Sequence, residues 1–254
     1  MTVELGWPLA VALLALVALG MTVAHLARLP VRAAIGWAAV RAGLQLMVVS
    51  LIVGVALSNP WLAFAFVALM FTVGVITTGR RTGLKGIRPH LAAALAMASG
   101  AVPVLAIIFL GGTAPLTGPA IVPIAGIIVG NMMTVHTLVG RRSFDELRQH
   151  VTEYEAWLSL GFTRDRAISG VVSPTLHESL LPALDQTRTV GLVSLPGAYI
   201  GVLLGGGDPW AAAAAQVLVL VGINAAQVIV VTLARALMAA GWLLPSDLQE
   251  RLHP

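Results

Sequence analysis

Side chains that could do chemistry are scarce in this sequence, and the few inside its apolar runs carry the most information. Arg41 lies about 8–10 residues into an apolar run, roughly 12–15 Å deep at a rise of 1.5 Å per residue. A guanidinium at that depth is expensive, about 2.5 kcal/mol or more even on insertion scales. None of the runs contains an Asp or Glu to pair with it, and Gln45 follows one turn later on the same face. Two readings stay open: a structural Arg bonded to backbone carbonyls, or a gate and anion contact. In the second, a fixed positive charge repels a bare cation and favours a chelated or anionic substrate.

Asn131, Met132, Met133 and His136 share another run, with Met132 and His136 four apart on one face. Thioether and imidazole suit soft or borderline metals; Met also fills packing gaps, so metal ligation is left open. Next to Gly126 and Gly130, Asn131 is expected to bond across a helix–helix contact. Gln216, Asn224 and Gln227 fall within about an 80° arc at 100° per residue. So narrow a polar stripe faces protein or water, lining either a dimer interface or a pathway. His177-Glu178 starts like a zinc-protease motif, but Leu181 stands where its second His belongs.

These residues sit in a chain built for a bilayer. Of 254 residues, 58% are apolar and 10% charged, with a mean hydropathy of +0.92. Soluble domains carry roughly 25% charged residues, so a soluble enzyme and a disordered chain are both excluded. The apolar runs are residues 7–24, 33–57, 61–78, 91–110, 120–139, 190–204 and 210–236. The sixth is short for a span of about 20 residues, unless its helix starts nearer Leu180. Gly, Pro or charge fills every break.

The net charge of +4 does not point to nucleic acid. Fourteen of the 15 Lys and Arg lie in the first, third and fifth gaps and at the C-terminal end; Arg41 is the exception. Positive residues favour the cytoplasm. The expected protein is therefore all-α and polytopic, with about seven transmembrane helices, the N-terminus outside and the C-terminus cytoplasmic. It forms a single transmembrane domain over 1–254. Residues 1–9 contain Glu4 and no basic residue, so the first run reads as a span and not as a cleaved signal. With no Cys, neither disulfides nor Cys-ligated metal sites can form.

Residues 140–189 are the one long polar stretch, an amphipathic cytosolic segment. Ser143-Phe-Asp-Glu146 and Thr175-Leu-His-Glu178 both have capping-box form. Phe144, Leu147, Val151, Tyr154 and Leu158 recur at helical steps, and Gly161 is a natural helix stop. Glu155-Ala156, then Gly161, Val171 and Pro174 follow the spacing of the coupling loop of ABC-transporter permeases, with Trp157 replacing the loop's second Ala and Ser173 a usual Leu. Such a loop ends a short helix at the Gly, seats it in a cleft of the ATPase subunit and carries motion to the spans. No G-x-x-x-x-G-K-[ST] phosphate cradle is present; the chain is not itself an enzyme, and ATP would be bound on a partner subunit.

Further stretches sharpen the likeness. Residues 123–131 (PIAGIIVGN), 191–197 (GLVSLPG), 205–209 (GGGDP) and 41–45 (RAGLQ), with the Glu155–Gly161 loop, resemble the bacterial iron-export ABC permeases of the Fet type and the related plant aluminium-tolerance permeases. The similarity covers most of residues 31–237 and is strongest over 120–216. The resemblance implies a homodimeric permease in the bacterial inner membrane, working with a separate ABC ATPase. It implies a role in metal export or homeostasis, with no cofactor of its own. Gly197, Gly201 and Gly205 form a small-residue stripe, and Pro196 allows a hinge or a static bend.

Two other classes fit the sequence less well. A membrane-embedded enzyme needs paired acids, Ser–His or a metal-ligand set at membrane depth, and the runs contain no acid. An ion-coupled secondary transporter usually needs an intramembrane carboxylate. It stands as the alternative, together with a permease for a non-metal substrate such as a nucleotide sugar.

Overall fold

The structure, a computed structural model, describes residues 6–252; Glu4, used above for topology, lies outside the described residues. The described residues are organised into two compact units, divided between Ser58 and Asn59. The first is a helical hairpin of α1 (Trp7–Leu26) and α2 (Arg32–Ser58). Its arms meet where Gly36 faces the sulfur of Met21 and Gly20 faces Ile35. Leu14, Leu51 and most other large apolar side chains of the hairpin are exposed, as expected where lipid or another helix supplies the apolar environment.

The second unit contains α3 (Pro60–Thr82), α4 (Ile87–Leu110), α5 (Gly118–Gln149), α6 (Val151–Ser159), α7 (Arg164–Leu176), α8 (Leu181–Thr189), α9 (Gly197–Leu204), α10 (Pro209–Ala239) and α11 (Ser246–Arg251). Local chemistry fixes the helix starts. The Asn59 side chain accepts the Trp61 amide at 2.8 Å ahead of Pro60, and Asp208 accepts the Ala211 amide at 2.9 Å ahead of Pro209. Both pair a polar cap with Pro in the first turn. At its other end α3 stops at Gly83, φ 73°, a conformation that favours Gly.

The core lies among α3, α4, α5 and α10. Close approach depends on glycine. A Cβ on Gly100 of α4 would collide with the backbone carbonyl of Ala226 in α10, so only a hydrogen fits there. Met97, Ile108, Ile128, Met132 and Met238 are wholly enclosed.

Among the described residues, six helices, α1 to α5 and α10, are long and apolar enough to cross a membrane. This makes the protein an all-α, multi-pass membrane protein, as the sequence predicts. The sixth apolar run departs from expectation. No continuous helix extends from Leu180 to Leu204. The chain forms α8, breaks over residues 190–196, and resumes as α9. Gly191 takes φ 80°, its amide donates to the Ser194 carbonyl at 2.9 Å, and Pro196 has no N–H with which to continue a helix.

The broken piece lies in the return between two parallel helices. The starts of α5 and α10 share a cavity lined by Pro119, Pro123, Ala211 and Ala214. Beyond their far ends, Arg148 of α5 holds Asp247 of α11 through Nε–Oδ2 at 2.8 Å and Nη2–Oδ1 at 3.2 Å. The two long helices are therefore parallel, and the chain between them must return. Thr187 of α8 meets Asn224, midway along α10, at 2.8 Å. From the break, the eight residues of α9 rise about 12 Å, back to the level where α10 begins.

Both capping-box expectations are corrected. Ser143 lies inside α5, buried. The helix continues because Phe144 and Leu147 extend its buried face. Thr175 lies inside α7, its hydroxyl donating to the Val172 carbonyl at 2.9 Å; Pro174 is accommodated as the helix tightens into a 3₁₀ turn at His177–Ser179.

Candidate functional site

Glu155, Ala156, Gly161 and Pro174 all fall in one helical feature. After a bend at His150, α6 and α7 make a helical hairpin. Its turn is a Schellman-type stop: the Gly161 amide donates to Leu158 at 2.9 Å, the Phe162 amide to Trp157 at 3.1 Å, and Gly161 has φ 82°. The inner face is locked. Tyr154 of α6 and Ala167, Ile168, Val171 and Val172 of α7 are buried, and α7 packs on both α5 and α10. Gly170 lies against the Trp157 ring, which stands edge-on to Phe162 with centroids 4.8 Å apart. Arg142 of α5 pairs with Glu178 just beyond α7.

The outer face is open. Glu155, Ala156, Gly161 and Pro174 are exposed, and Leu160 at the turn is 76% exposed. Sequence reasoning missed Leu160 and Phe162, the apolar pair flanking Gly161. Their signal was two large hydrophobes beside a helix stop, where a solvated turn would carry polar residues.

The membrane residues separate into groups. Met132 and His136 are fully enclosed, and neither lines either described cavity. The His136 ring Nδ1 is 3.0 Å from the Thr78 hydroxyl, which accepts from Thr137 at 2.9 Å. This polar knot joins α3 to α5. Asn131 does not bond across helices as expected: its side-chain amide donates to the Ile127 carbonyl of its own helix at 2.9 Å, one turn back, the shortest bond available to it. Arg41 and Gln45 lie one turn apart on the exposed surface of α2.

Gln216 and Asn224 face the broken α8–α9 segment; Gln227, further along α10, is buried. Asn224 donates to Thr187 and to the Leu220 carbonyl. Gln216 lines a cavity of about 320 Å³ with Val190, Gly191, Leu195, Pro196 and Tyr199. A second cavity of about 930 Å³ between α5, α9 and α10 has a mostly apolar lining. Among the described residues, no three His, Cys, Asp or Glu side chains converge on a point where a metal could sit.

The model of the "Uncharacterised protein family (UPF0014)" matches residues 7–242. The chain belongs to the UPF0014 family. Its UPF0014 relatives include "UPF0014 membrane protein STAR2" of Oryza sativa subsp. japonica, 31% identical over 83% of this chain and 74% of the relative. "Probable iron export permease protein FetB" of Escherichia coli (strain K12) is 30% identical over 83% and 82%. "Protein ALUMINUM SENSITIVE 3" of Arabidopsis thaliana is 33% identical over 64% and 59%. No solved structure matches significantly. The UPF0014 match spans both units and includes the α6–α7 hairpin and the broken α8–α9 segment.

Proposed function

We propose that this chain is the permease subunit of an ABC transporter that exports a metal of the iron type, driven by a separate ATPase subunit. The observation that carries the reading is the α6–α7 hairpin. One face is fastened to α5 and α10; the other presents Glu155, Ala156, Leu160 and Gly161 outward. A rigid knob rooted on two spans is what an ATPase must grip to move them. The name of the Escherichia coli relative supports the iron assignment. The basic ends of α3 and α5 support a cytoplasmic hairpin and C-terminus, with the N-terminus outside. A homodimer would give Arg41 and Gln45 a protein surface to face in place of lipid. The fixed positive charge of Arg41 favours a coordinated or chelated metal over a bare ion.

The test is co-expression with the candidate ATPase, affinity purification, and ATPase assay in lipid with iron and its chelates added. A stable complex whose turnover rises with one addition is expected. The variant Gly161→Asp should lose both the complex and the stimulation while still inserting in the membrane. Equal ATPase recovery with wild type and variant would remove the hairpin from the coupling role.

A further inference from the structure

The turn between α3 and α4 concentrates positive charge. Arg80, Arg81, Lys85 and Arg88 fall within nine residues, and all are exposed. No Asp or Glu occurs between residues 5 and 144 of the sequence. Among the described residues, none of these side chains joins an ion pair. The helix dipoles account for two of them: Arg80 and Arg81 lie in the last turn of α3, its negative end. Lys85 and Arg88 bracket the start of α4, a positive end with no acid in its first turn. Their charge opposes the local field, and no carboxylate of the described residues offsets it.

The turn is held in one shape. The Leu84 amide donates to the Gly79 carbonyl at 2.9 Å, and Leu84 is buried. The His90 Nδ1 donates to the Gly86 carbonyl at 2.8 Å, and its ring lies against Gly79. Beyond the end of α10, Trp242 holds Arg88, the guanidinium carbon lying over the indole ring at 4.9 Å from its centroid. A stacked guanidinium keeps its N–H edge open for an oxyanion. Trp242 is itself 48% exposed, and such amphipathic rings collect at the membrane–water boundary. Next to Arg88 an apolar track begins. Ile87, Leu91 and Leu95 of α4 are 79%, 63% and 53% exposed, and their four-residue steps keep them within about an 80° arc. The track is about 12 Å long, inside the roughly 15 Å of hydrocarbon in one leaflet.

We infer that this corner binds an anionic phospholipid, its phosphate held by Arg88 and Lys85 and an acyl chain lying along Ile87, Leu91 and Leu95. The two halves of the argument are independent: charge selects the headgroup, and the exposed track selects the chain. A partner from the aqueous phase would meet the cations but not the track at membrane depth. A second copy docking symmetrically on this corner would set cation against cation. A free anion would leave the track unused. The site stands whether or not the chain works with an ATPase.

Native mass spectrometry of the purified full chain in detergent, titrated separately with phosphatidylglycerol and phosphatidylcholine, tests the site. The first phosphatidylglycerol is expected to bind at least about tenfold more tightly than the first phosphatidylcholine. Each basic residue near an anionic headgroup is worth about fivefold. Arg88→Gln should therefore weaken the first phosphatidylglycerol by about fivefold, and Lys85→Gln with Arg88→Gln by about 25-fold, with phosphatidylcholine unchanged. Trp242→Leu keeps every charge and should weaken it by about two- to fivefold; this variant covers the case in which the double variant fails to fold. Arg166→Gln, which removes the same charge from the α6–α7 hairpin, should bind as wild type. Equal affinity for the two lipids overturns the inference. So does an equal loss in Arg166→Gln, which would make net charge the cause, or displacement of phosphatidylglycerol by equimolar inorganic phosphate. Unchanged lipid affinity in the double variant, with a dimer or an ATPase complex lost instead, would assign the corner to a protein and overturn it as well.

Discussion

Gly161 shows how far one residue can be read. A helix stop needs a residue that tolerates a left-handed backbone, and that need is local enough to be legible in sequence. The structure gives it φ 82° with open space around a notional Cβ, so backbone strain alone sets the effect of substitution. Gly161→Val should destabilise the hairpin by about 1–2 kcal/mol, and Gly161→Asn by less. Limited proteolysis of the α6–α7 turn in detergent would rank them; equal cleavage of all three proteins would refute the assignment. Gln216 was legible only as a member of a stripe. Its cavity exists because a separate segment breaks beside it, and no spacing within α10 encodes that. Met132 and His136 illustrate the opposite outcome. Their four-residue spacing was real, but it places them in the packed core, where His136 serves the Thr78–Thr137 knot.

At the scale of elements, long apolar runs with charged or Pro-Gly boundaries gave six spans close to where the structure places them. The seventh failed as a continuous helix because hydropathy sums side chains, whereas Gly191 and Pro196 act on the backbone. The capping boxes failed for a related reason: a local signal competes with burial, and Phe144 and Leu147 reward continuing α5. Two predictions belong here. The α4–α10 contact has no room for a side chain at Gly100. Gly100→Val should cost about 2–3 kcal/mol, seen as a lower midpoint in a detergent melt; an unchanged midpoint would mean the helices are not so close. The second concerns α11. The Arg148 guanidinium beside Asp247 holds its carboxyl below the ordinary 3.8. A lowered native value means the clip contributes fully above that pH and is lost as pH falls through the native value. Both partners are partly exposed, so the clip is worth about 1 kcal/mol or less. Protection of the α11 amides from hydrogen exchange, taken relative to their intrinsic rates, should fall on acidification below pH 3.8. In Asp247→Asn it should already be low at neutral pH, with no acid step; an acid step retained there would assign the effect to another group.

At the scale of the whole molecule, the alternation of charged and uncharged gaps implied an odd number of crossings. The parallel course of α5 and α10 within the second unit requires a return between them, and the structure makes it through the broken α8–α9 segment, which is not among the six described helices long and apolar enough to cross a membrane. One feature joins the scales. Helix α5 runs unbroken for 32 residues, about 48 Å. Its first turns border the large cavity, and its last turns carry the root of the α6–α7 hairpin. It is a lever with its handle outside the apolar core and its tip beside a void. A tilt of about 5° about the hairpin end would sweep the tip by roughly 4 Å over that length, more than the diameter of a water molecule. No residue between handle and tip would need to change its conformation.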